Sequence, residues 1–217
     1  MIIYSALQLK DQIIDTGKKL VDHRLVVATW GNISSRVPKK PQYIVTPSGM
    51  PYHELKPGDL VTMNLDGEIV EGNRKPSTEA KMHQEIYKGR PDVSAVIHTH
   101  SNYACAFAVA REHIPPVLEE AAQLIGGAVE VAQYALPGTN ELASNTVRAL
   151  ENRNAVLMAN HGVVAVGKSL HEALTVAVLV EKLAQVFLTA KILGTPHILD
   201  DLEIKILREN FLKSYGQ

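Results

Sequence analysis

The chain has 217 residues, of which 46% are hydrophobic and 21% charged, and its formal net charge at pH 7 is −1. That length and composition predict one globular domain over residues 1–217. Neither basic nor acidic residues form a block, which excludes the usual electrostatic footprint of a nucleic-acid or acidic-membrane partner. We expect a soluble, cytoplasmic protein, because the first residues lack a basic, apolar leader and no stretch approaches the roughly 20 apolar residues of a membrane span.

The first part of the chain predicts one helix followed by a meander of short strands. Apolar residues recur at helical spacing over about residues 5–24, which predicts an amphipathic helix. Three short strands are then expected at Gln42–Thr46, Asp59–Met63 and Glu68–Val70, separated by turns rich in proline and glycine.

The middle of the chain predicts alternating helices and strands. Pro76 and the polar residues after it suit a helix start, and the helix is expected to end at Gly89. A buried strand is predicted over residues 93–98, and another helix is expected from about Ser101.

The last third of the chain predicts two strands and two helices. The apolar runs Ala155–Ala159 and Val163–Gly167 flank His161, which is therefore expected at a strand end or in a tight turn. Ser169 opens a capping-box sequence, so a largely buried apolar helix is expected from there to about Lys191. Asp200 is expected to cap a final helix.

The most informative pattern is a set of three histidines and one glutamate. His98 and His100 end the strand predicted before them, and residues i and i+2 of a strand point to the same face, so both imidazoles can bind one ion. With Glu79 upstream and His161 downstream, the donors suit a zinc site. If the carboxylate can be displaced, the site has room for a substrate, which distinguishes a catalytic site from a closed structural one. Taken alone, a His-x-His pair on a strand is more often two ordinary polar residues.

A second set of residues suits a phosphate group. Small residues leave backbone N–H groups accessible, and hydroxyl or amide side chains add donors, which a phosphate needs where basic residues are not clustered. The set consists of Thr29, Gly31, Asn32, Ser48, Gly49, Ser77 and Thr78. Taken singly, Ser48-Gly49 is typical of a type II turn and Ser77-Thr78 of a helix cap.

With these motifs in this order, the chain resembles the class II aldolases of the L-fuculose-phosphate aldolase and ribulose-phosphate 4-epimerase type, from about residue 10 to Tyr215. The resemblance implies an α/β fold of the α+β type, with a central, mostly antiparallel sheet flanked by helices. It also implies a homotetramer with active sites between neighbouring subunits.

The resemblance assigns a role to each member of the first set. In the family pattern His98, His100 and His161 bind one Zn²⁺ per subunit, and Glu79 is the fourth ligand until substrate displaces it and it becomes the acid/base. The small residues of the second set form the phosphate pocket. Tyr215 matches a C-terminal tyrosine that reaches the neighbouring subunit's site, although a loose tail residue is the alternative.

At one position the chain departs from the family pattern. Where the fuculose-phosphate enzyme has a tyrosine shortly after an Ile-Pro pair, this chain has Glu119 after Ile114-Pro115. Glu119 is either the proton donor on the aldehyde side or, with Glu120, the start of a solvated helix, where acidic residues are favoured. The six other histidines are expected to be solvated surface groups: His23, His53, His83, His113, His171 and His197.

The resemblance implies reversible, zinc-dependent retro-aldol cleavage of a ketose 1-phosphate to dihydroxyacetone phosphate and a small aldehyde such as L-lactaldehyde. A 5-deoxyribulose or methylthioribulose 1-phosphate aldolase or dehydratase, or a ribulose 5-phosphate 4-epimerase, is the alternative on the same scaffold. Two other classes stay open: a non-catalytic cytoskeletal relative, against which the intact metal ligands argue, and a structural zinc domain, which would unfold on metal loss.

Overall fold

The computed structural model describes residues 6–214, and within them one eight-stranded sheet is flanked by six α-helices. The strands are β1 (Asn32–Arg36), β2 (Gln42–Val45), β3 (Val61–Asn64), β4 (Ile69–Glu71), β5 (Ala95–Thr99), β6 (Val131–Ala132), β7 (Ala155–Met158) and β8 (Gly162–Gly167). The helices are α1 (Ala6–Asp22), α2 (Ala80–Gly89), α3 (Asn102–Ala110), α4 (Asn140–Leu150), α5 (Leu170–Leu193) and α6 (Asp201–Ser214). A 3₁₀ turn spans Pro57–Asp59, and a π-helical turn spans Ala121–Ile125.

The strands lie in the order β4-β3-β2-β1-β5-β8-β7-β6, and every neighbouring pair is antiparallel except β6 and β7. The predicted α+β architecture, a mostly antiparallel sheet with flanking helices, is confirmed. The predicted meander is also confirmed, because β2, β3 and β4 are consecutive neighbours in the sheet.

Two hydrophobic clusters cover the two faces of the sheet. Ile97 of β5 packs in the cluster formed with α1, α3 and α5, whereas the preceding Val96 packs in the cluster formed with α2 and α4. Successive strand residues point to opposite faces, so β5 is apolar on both sides. Burying such a side chain contributes roughly 1.5–3 kcal/mol. The central strand that leads to His98 is therefore firmly held.

Helix α5 begins where the capping sequence predicts. The hydroxyl of Ser169 accepts a hydrogen bond from the backbone N–H of Glu172 at 3.1 Å. Within residues 6–214, α5 is the single helix that is long and apolar enough to cross a membrane by length and composition, but half of its apolar window is buried inside the fold. Val176 and Leu183 are fully buried there, as expected for the core helix of a globular protein.

Several elements were not among the sequence-based predictions, and two of them, α4 and β1, are large or central. Helix α4 follows Thr139, whose hydroxyl accepts a hydrogen bond from the N–H of Leu142 at 3.2 Å. Strand β1 lies between β2 and β5, and its register places Asn32 directly opposite His98. The strand contains a polar sequence, so its place at the centre of the sheet comes from pairing on both sides and not from its own hydrophobic pattern.

Candidate active site

Three separate parts of the chain bring the four candidate metal ligands together. His98 lies on β5, and His100 follows the end of that strand. Glu79 is the residue immediately before α2, and His161 lies in the turn between β7 and β8. Because β5 and β8 are antiparallel neighbours, the end of β5 and the start of β8 lie together at one end of the sheet.

The distances in this cluster fit a metal site. The candidate ligand atoms of His98, His100 and His161 all lie within 4.8 Å of one another. The carboxylate of Glu79 bridges two of them, with Oε2 3.2 Å from Nε2 of His98 and Oε1 3.0 Å from Nε2 of His161. Three imidazoles and one displaceable carboxylate are a donor set that zinc takes in catalytic sites.

The ring of His98 is oriented by the neighbouring strand. Its Nδ1 lies 2.8 Å from the carbonyl oxygen of Val163, which can only accept, so Nδ1 carries the hydrogen and Nε2 keeps its lone pair. Burial lowers the pKa of His98. Burial, and then the proximity of His98 and His161, lower the pKa of His100 to about 4. At neutral pH these imidazoles are therefore neutral, which is the form that binds a metal ion.

The carboxylate of Glu79 is held as an anion. Its side chain is only 7% exposed, and burial by itself raises the pKa. The positive charge of His98 and His161 when their rings are protonated, together with hydrogen bonds from His161 and from the amide of Asn32, outweighs burial, so the pKa of Glu79 lies well below its usual range. Asn32 Nδ2 donates to Glu79 Oε2 at 2.8 Å.

Two glycines allow the backbone to approach the histidines. Gly31 has a φ of +86°, and a Cβ atom there would lie 2.7 Å from the carbonyl oxygen of His98. A Cβ atom on Gly162 would lie 2.9 Å from Cε1 of His98 and 3.3 Å from Cδ2 of His100. A larger residue at either position would displace the cluster.

Three members of this cluster, Glu79, His100 and His161, line a pocket of about 460 Å³ that is also lined by every residue predicted to bind phosphate. The lining is formed by Thr29, Trp30, Gly31, Asn32, Pro47, Ser48, Gly49, Ser77, Thr78, Glu79, His100, Pro137 and His161. Gly49 has a φ of +71° with open space around it, and the backbone N–H of Glu79 is capped by the hydroxyl of Ser77 at 3.2 Å. The structure thus brings both predicted sets of residues to one cavity.

Two predicted residues are not brought to this pocket. Glu119 is exposed and is not part of the pocket lining. It precedes the π-helical turn at Ala121–Ile125. Tyr215 lies outside the described residues. The roles of both residues stay predictions.

One sequence-based prediction is wrong: His83 is not a solvated surface residue. It is completely buried, and its two ring nitrogens contact Asn32 and Ser34. Its spacing of four residues from Glu79 places both at the start of α2 and was the signal that could have revealed it. The five other non-ligand histidines are exposed as predicted: His23, His53, His113, His171 and His197.

Trp30 is a second site residue that the sequence reasoning missed. It lines the pocket with 61% of its surface exposed, and its ring stacks near that of His100 with a centroid distance of 6.1 Å. Its position between Thr29 and Gly31, two residues predicted to bind phosphate, was the available signal.

Comparison with known proteins identifies the family of the chain. Residues 11–188 match the family described as Class II Aldolase and Adducin N-terminal domain. The chain belongs to this family. The resemblance predicted from the motifs is thereby confirmed.

Similar aldolases match nearly the whole chain. The 5-deoxy-D-ribulose 1-phosphate aldolase of Bacillus thuringiensis serovar kurstaki is 39% identical over 96% of this chain and 97% of its own length. The L-fuculose phosphate aldolase of Escherichia coli K12 is 36% identical over 96% of each chain. A solved structure of an L-fuculose 1-phosphate aldolase has a TM-score of 0.92 and 40% identity, covering 96% of this chain and 100% of that one. The chain is therefore an enzyme, a class II aldolase and a lyase, from a family that is typically metal-dependent.

Proposed function

We propose that the enzyme catalyses the reversible, zinc-dependent retro-aldol cleavage of a ketose 1-phosphate to dihydroxyacetone phosphate and a small aldehyde. L-Fuculose 1-phosphate, which would release L-lactaldehyde, is the first candidate substrate. The observation that carries this proposal is that Glu79 and two of the histidines line the same pocket as a set of glycine and hydroxyl residues. The described residues that line this pocket include no lysine, so they offer no amine for a Schiff base, which favours a metal-dependent reaction.

The proposed zinc ligands are His98, His100 and His161, with Glu79 as the fourth. Zinc, when bound, supplies a Lewis acid that polarises the substrate carbonyl and stabilises the negative charge that develops there. In the cleavage direction a base removes the proton of the C4 hydroxyl and the C3–C4 bond breaks. Glu79, once substrate has displaced it and it has taken up a proton from solvent, then delivers that proton to C3. In the reverse direction Glu79 removes that proton, and its place beside the ligand cluster suits this role.

The phosphate is proposed to lie against the small residues of the pocket: Thr29, Gly31, Asn32, Ser48, Gly49, Ser77 and Thr78. Ser77 and Thr78 precede α2, whose N-terminal end carries a partial positive charge that favours an anion. The amide of Asn32 donates one hydrogen to Glu79 and has a second hydrogen to offer. Binding energy at the phosphate end then orients the reacting carbons beside Glu79.

A second candidate substrate is 5-deoxyribulose 1-phosphate, as named for the relative from Bacillus thuringiensis. It shares the phosphate-bearing half of the molecule with L-fuculose 1-phosphate and would release a smaller aldehyde. The two candidates differ only beyond the bond that breaks, so the metal and phosphate sites described here suit both.

The proposed enzyme is a cytoplasmic homotetramer with active sites between neighbouring subunits. Glu119 is exposed and absent from the pocket of its own chain, so contact with substrate requires a second copy. Large apolar side chains at the end of α5 and beyond it are exposed, including Ile192 at 80% and Leu193 at 86%, as expected of a surface that another subunit covers. Light scattering should give a mass of about four chains.

The deciding experiment is a turnover assay on a panel of ketose phosphates with detection of dihydroxyacetone phosphate. We expect cleavage of L-fuculose 1-phosphate or 5-deoxyribulose 1-phosphate, loss of cleavage with a chelator and recovery with zinc. Interconversion of pentulose 5-phosphates without release of dihydroxyacetone phosphate would overturn the proposal in favour of an epimerase.

A further inference from the structure

A buried chain of hydrogen bonds leads from the interior of the fold to Glu79. We propose that His83 is a positioning residue that holds the amide of Asn32 with its N–H group directed at the Glu79 carboxylate. This inference rests on the acid/base role proposed for Glu79, and it adds a group that does not itself contact substrate or metal.

The contacts are short and lie in the core. Tyr87 Oη lies 2.7 Å from Ser34 Oγ, which lies 2.6 Å from Nδ1 of His83. Nε2 of His83 lies 2.5 Å from Oδ1 of Asn32, and Nδ2 of Asn32 lies 2.8 Å from Oε2 of Glu79. His83 and Ser34 are 0% exposed, so water cannot replace a missing partner.

The direction of each hydrogen bond follows from the carboxylate at its end. An ionised carboxylate only accepts, so Asn32 presents Nδ2–H to Glu79 and its carbonyl oxygen to His83. That carbonyl also only accepts, so Nε2 of His83 carries a hydrogen. A neutral ring with Nε2–H has an accepting Nδ1, to which the Ser34 hydroxyl donates. The Tyr87 hydroxyl then donates to Ser34. Each donor in this series of hydrogen bonds therefore points toward Glu79.

The surroundings keep the imidazole of His83 neutral. Burial lowers the pKa of His83 to about 3, although Glu79 partly opposes this effect. The two groups that touch its ring nitrogens, Ser34 and Asn32, are uncharged. A neutral ring has one donor nitrogen and one acceptor nitrogen, and both have partners in this series of hydrogen bonds.

The consequence for the site is control of the amide orientation. If Asn32 turned over, its carbonyl oxygen would face the Glu79 carboxylate and its NH₂ group would face the Nε2–H of His83, so both contacts would be repulsive. His83 therefore selects the orientation that stabilises the Glu79 anion. Outer partners of this kind commonly change activity by about 10- to 100-fold when they are removed.

The first test observes the ring of His83 directly, with ¹⁵N-histidine-labelled enzyme and long-range ¹H–¹⁵N correlation spectra. We expect a neutral His83 ring protonated at Nε2 that does not titrate between pH 6 and 8, with its signals assigned by their loss in His83→Gln. In the metal-free enzyme, His98 should show the opposite tautomer, protonated at Nδ1. A His83 ring protonated at Nδ1, or a cationic ring, would overturn the inference without bearing on the proposed aldolase reaction.

The second test compares two substitutions, each of which places an amide group near the position of one imidazole nitrogen. The amide of His83→Gln can place a donor near the position of Nε2, whereas His83→Asn places its amide near Nδ1 and cannot reach Asn32. We expect kcat to fall by about 10-fold or more in His83→Asn and to be largely restored in His83→Gln. Zinc content should change little in either variant, and the exposed His171→Gln serves as the matched control.

Equal kcat losses in the two folded variants, or no loss in either, would contradict a positioning role. Loss of zinc from both would show that His83 acts on the metal ligands instead. If the wild-type enzyme cleaves no ketose phosphate, the proposed function fails, and the tautomer measurement still decides the placement of His83.

Discussion

Nε2 of His161 lies 3.0 Å from Oε1 of Glu79, although the first residue belongs to a turn near the end of the sheet and the second to the start of a helix. The turn is shaped by Asn160, which has a φ of 54°, a conformation that asparagine adopts more readily than most residues. Arg111 donates a hydrogen bond to the Asn160 side chain at 2.6 Å. The ligand cluster therefore depends on contacts from outside the cluster itself.

The first prediction concerns the metal. The purified enzyme should carry about one zinc ion per chain, and chelation should abolish turnover while leaving helical circular dichroism largely unchanged. The physical reason is that two hydrophobic clusters hold the sheet, and neither of them contains a proposed metal ligand. His100→Ala should lose the metal, whereas His171→Ala, an exposed control, should retain it. Cooperative unfolding on chelation would instead favour a structural zinc domain.

The second prediction concerns Glu79→Gln, which keeps the size of the side chain but removes the base. Turnover should fall by at least about 100-fold, the lower range for a general acid/base, while zinc stays bound by the three imidazoles. Steady-state cleavage rates and metal analysis on the same preparation measure both effects. Near-normal turnover in the zinc-loaded variant would exclude Glu79 as the proton carrier.

The third prediction uses Trp30, the only tryptophan in the chain, as a reporter of the pocket. Its indole is 61% exposed and lies beside His100, so ligands that fill the pocket should displace water from it. Fluorescence emission should move to shorter wavelengths when dihydroxyacetone phosphate is titrated into the zinc enzyme. Trp30→Phe should abolish the signal. An unchanged spectrum at saturating ligand would mean that the ligand binds elsewhere.

The fourth prediction tests the aldehyde side of the site. If Glu119 acts there from a neighbouring subunit, Glu119→Gln should slow cleavage far more than proton exchange into dihydroxyacetone phosphate, which needs only zinc and Glu79. Deleting residues 213–217, which removes Tyr215, should give a milder version of the same difference. Equal losses in both half-reactions, or none in either, would assign Glu119 to a solvated helix start.

Much of the scaffold follows from local patterns. The period of two in a strand predicted that His98 and His100 share a face, and the structure places their Nε2 atoms 2.9 Å apart. The cap at Asp200 is present as a reciprocal pair, in which Asp200 accepts from the N–H of Glu203 and donates its own N–H to the Glu203 carboxylate. Such features depend on residues a few positions apart, so the sequence alone can reveal them.

The residues that surround the site could not be predicted from local sequence patterns. Strand β1 is polar, and only its pairing with β2 and β5 places Asn32 opposite His98. His83 looks like a surface residue in sequence because a histidine on an amphipathic helix is usually solvated, yet it meets Asn32 and Ser34 in the core. The sequence determined the donor types, the helix caps and the order of the motifs. Tertiary structure alone decided which donors meet, because hydrogen bonds between residues about 50 positions apart form only when the sheet has assembled.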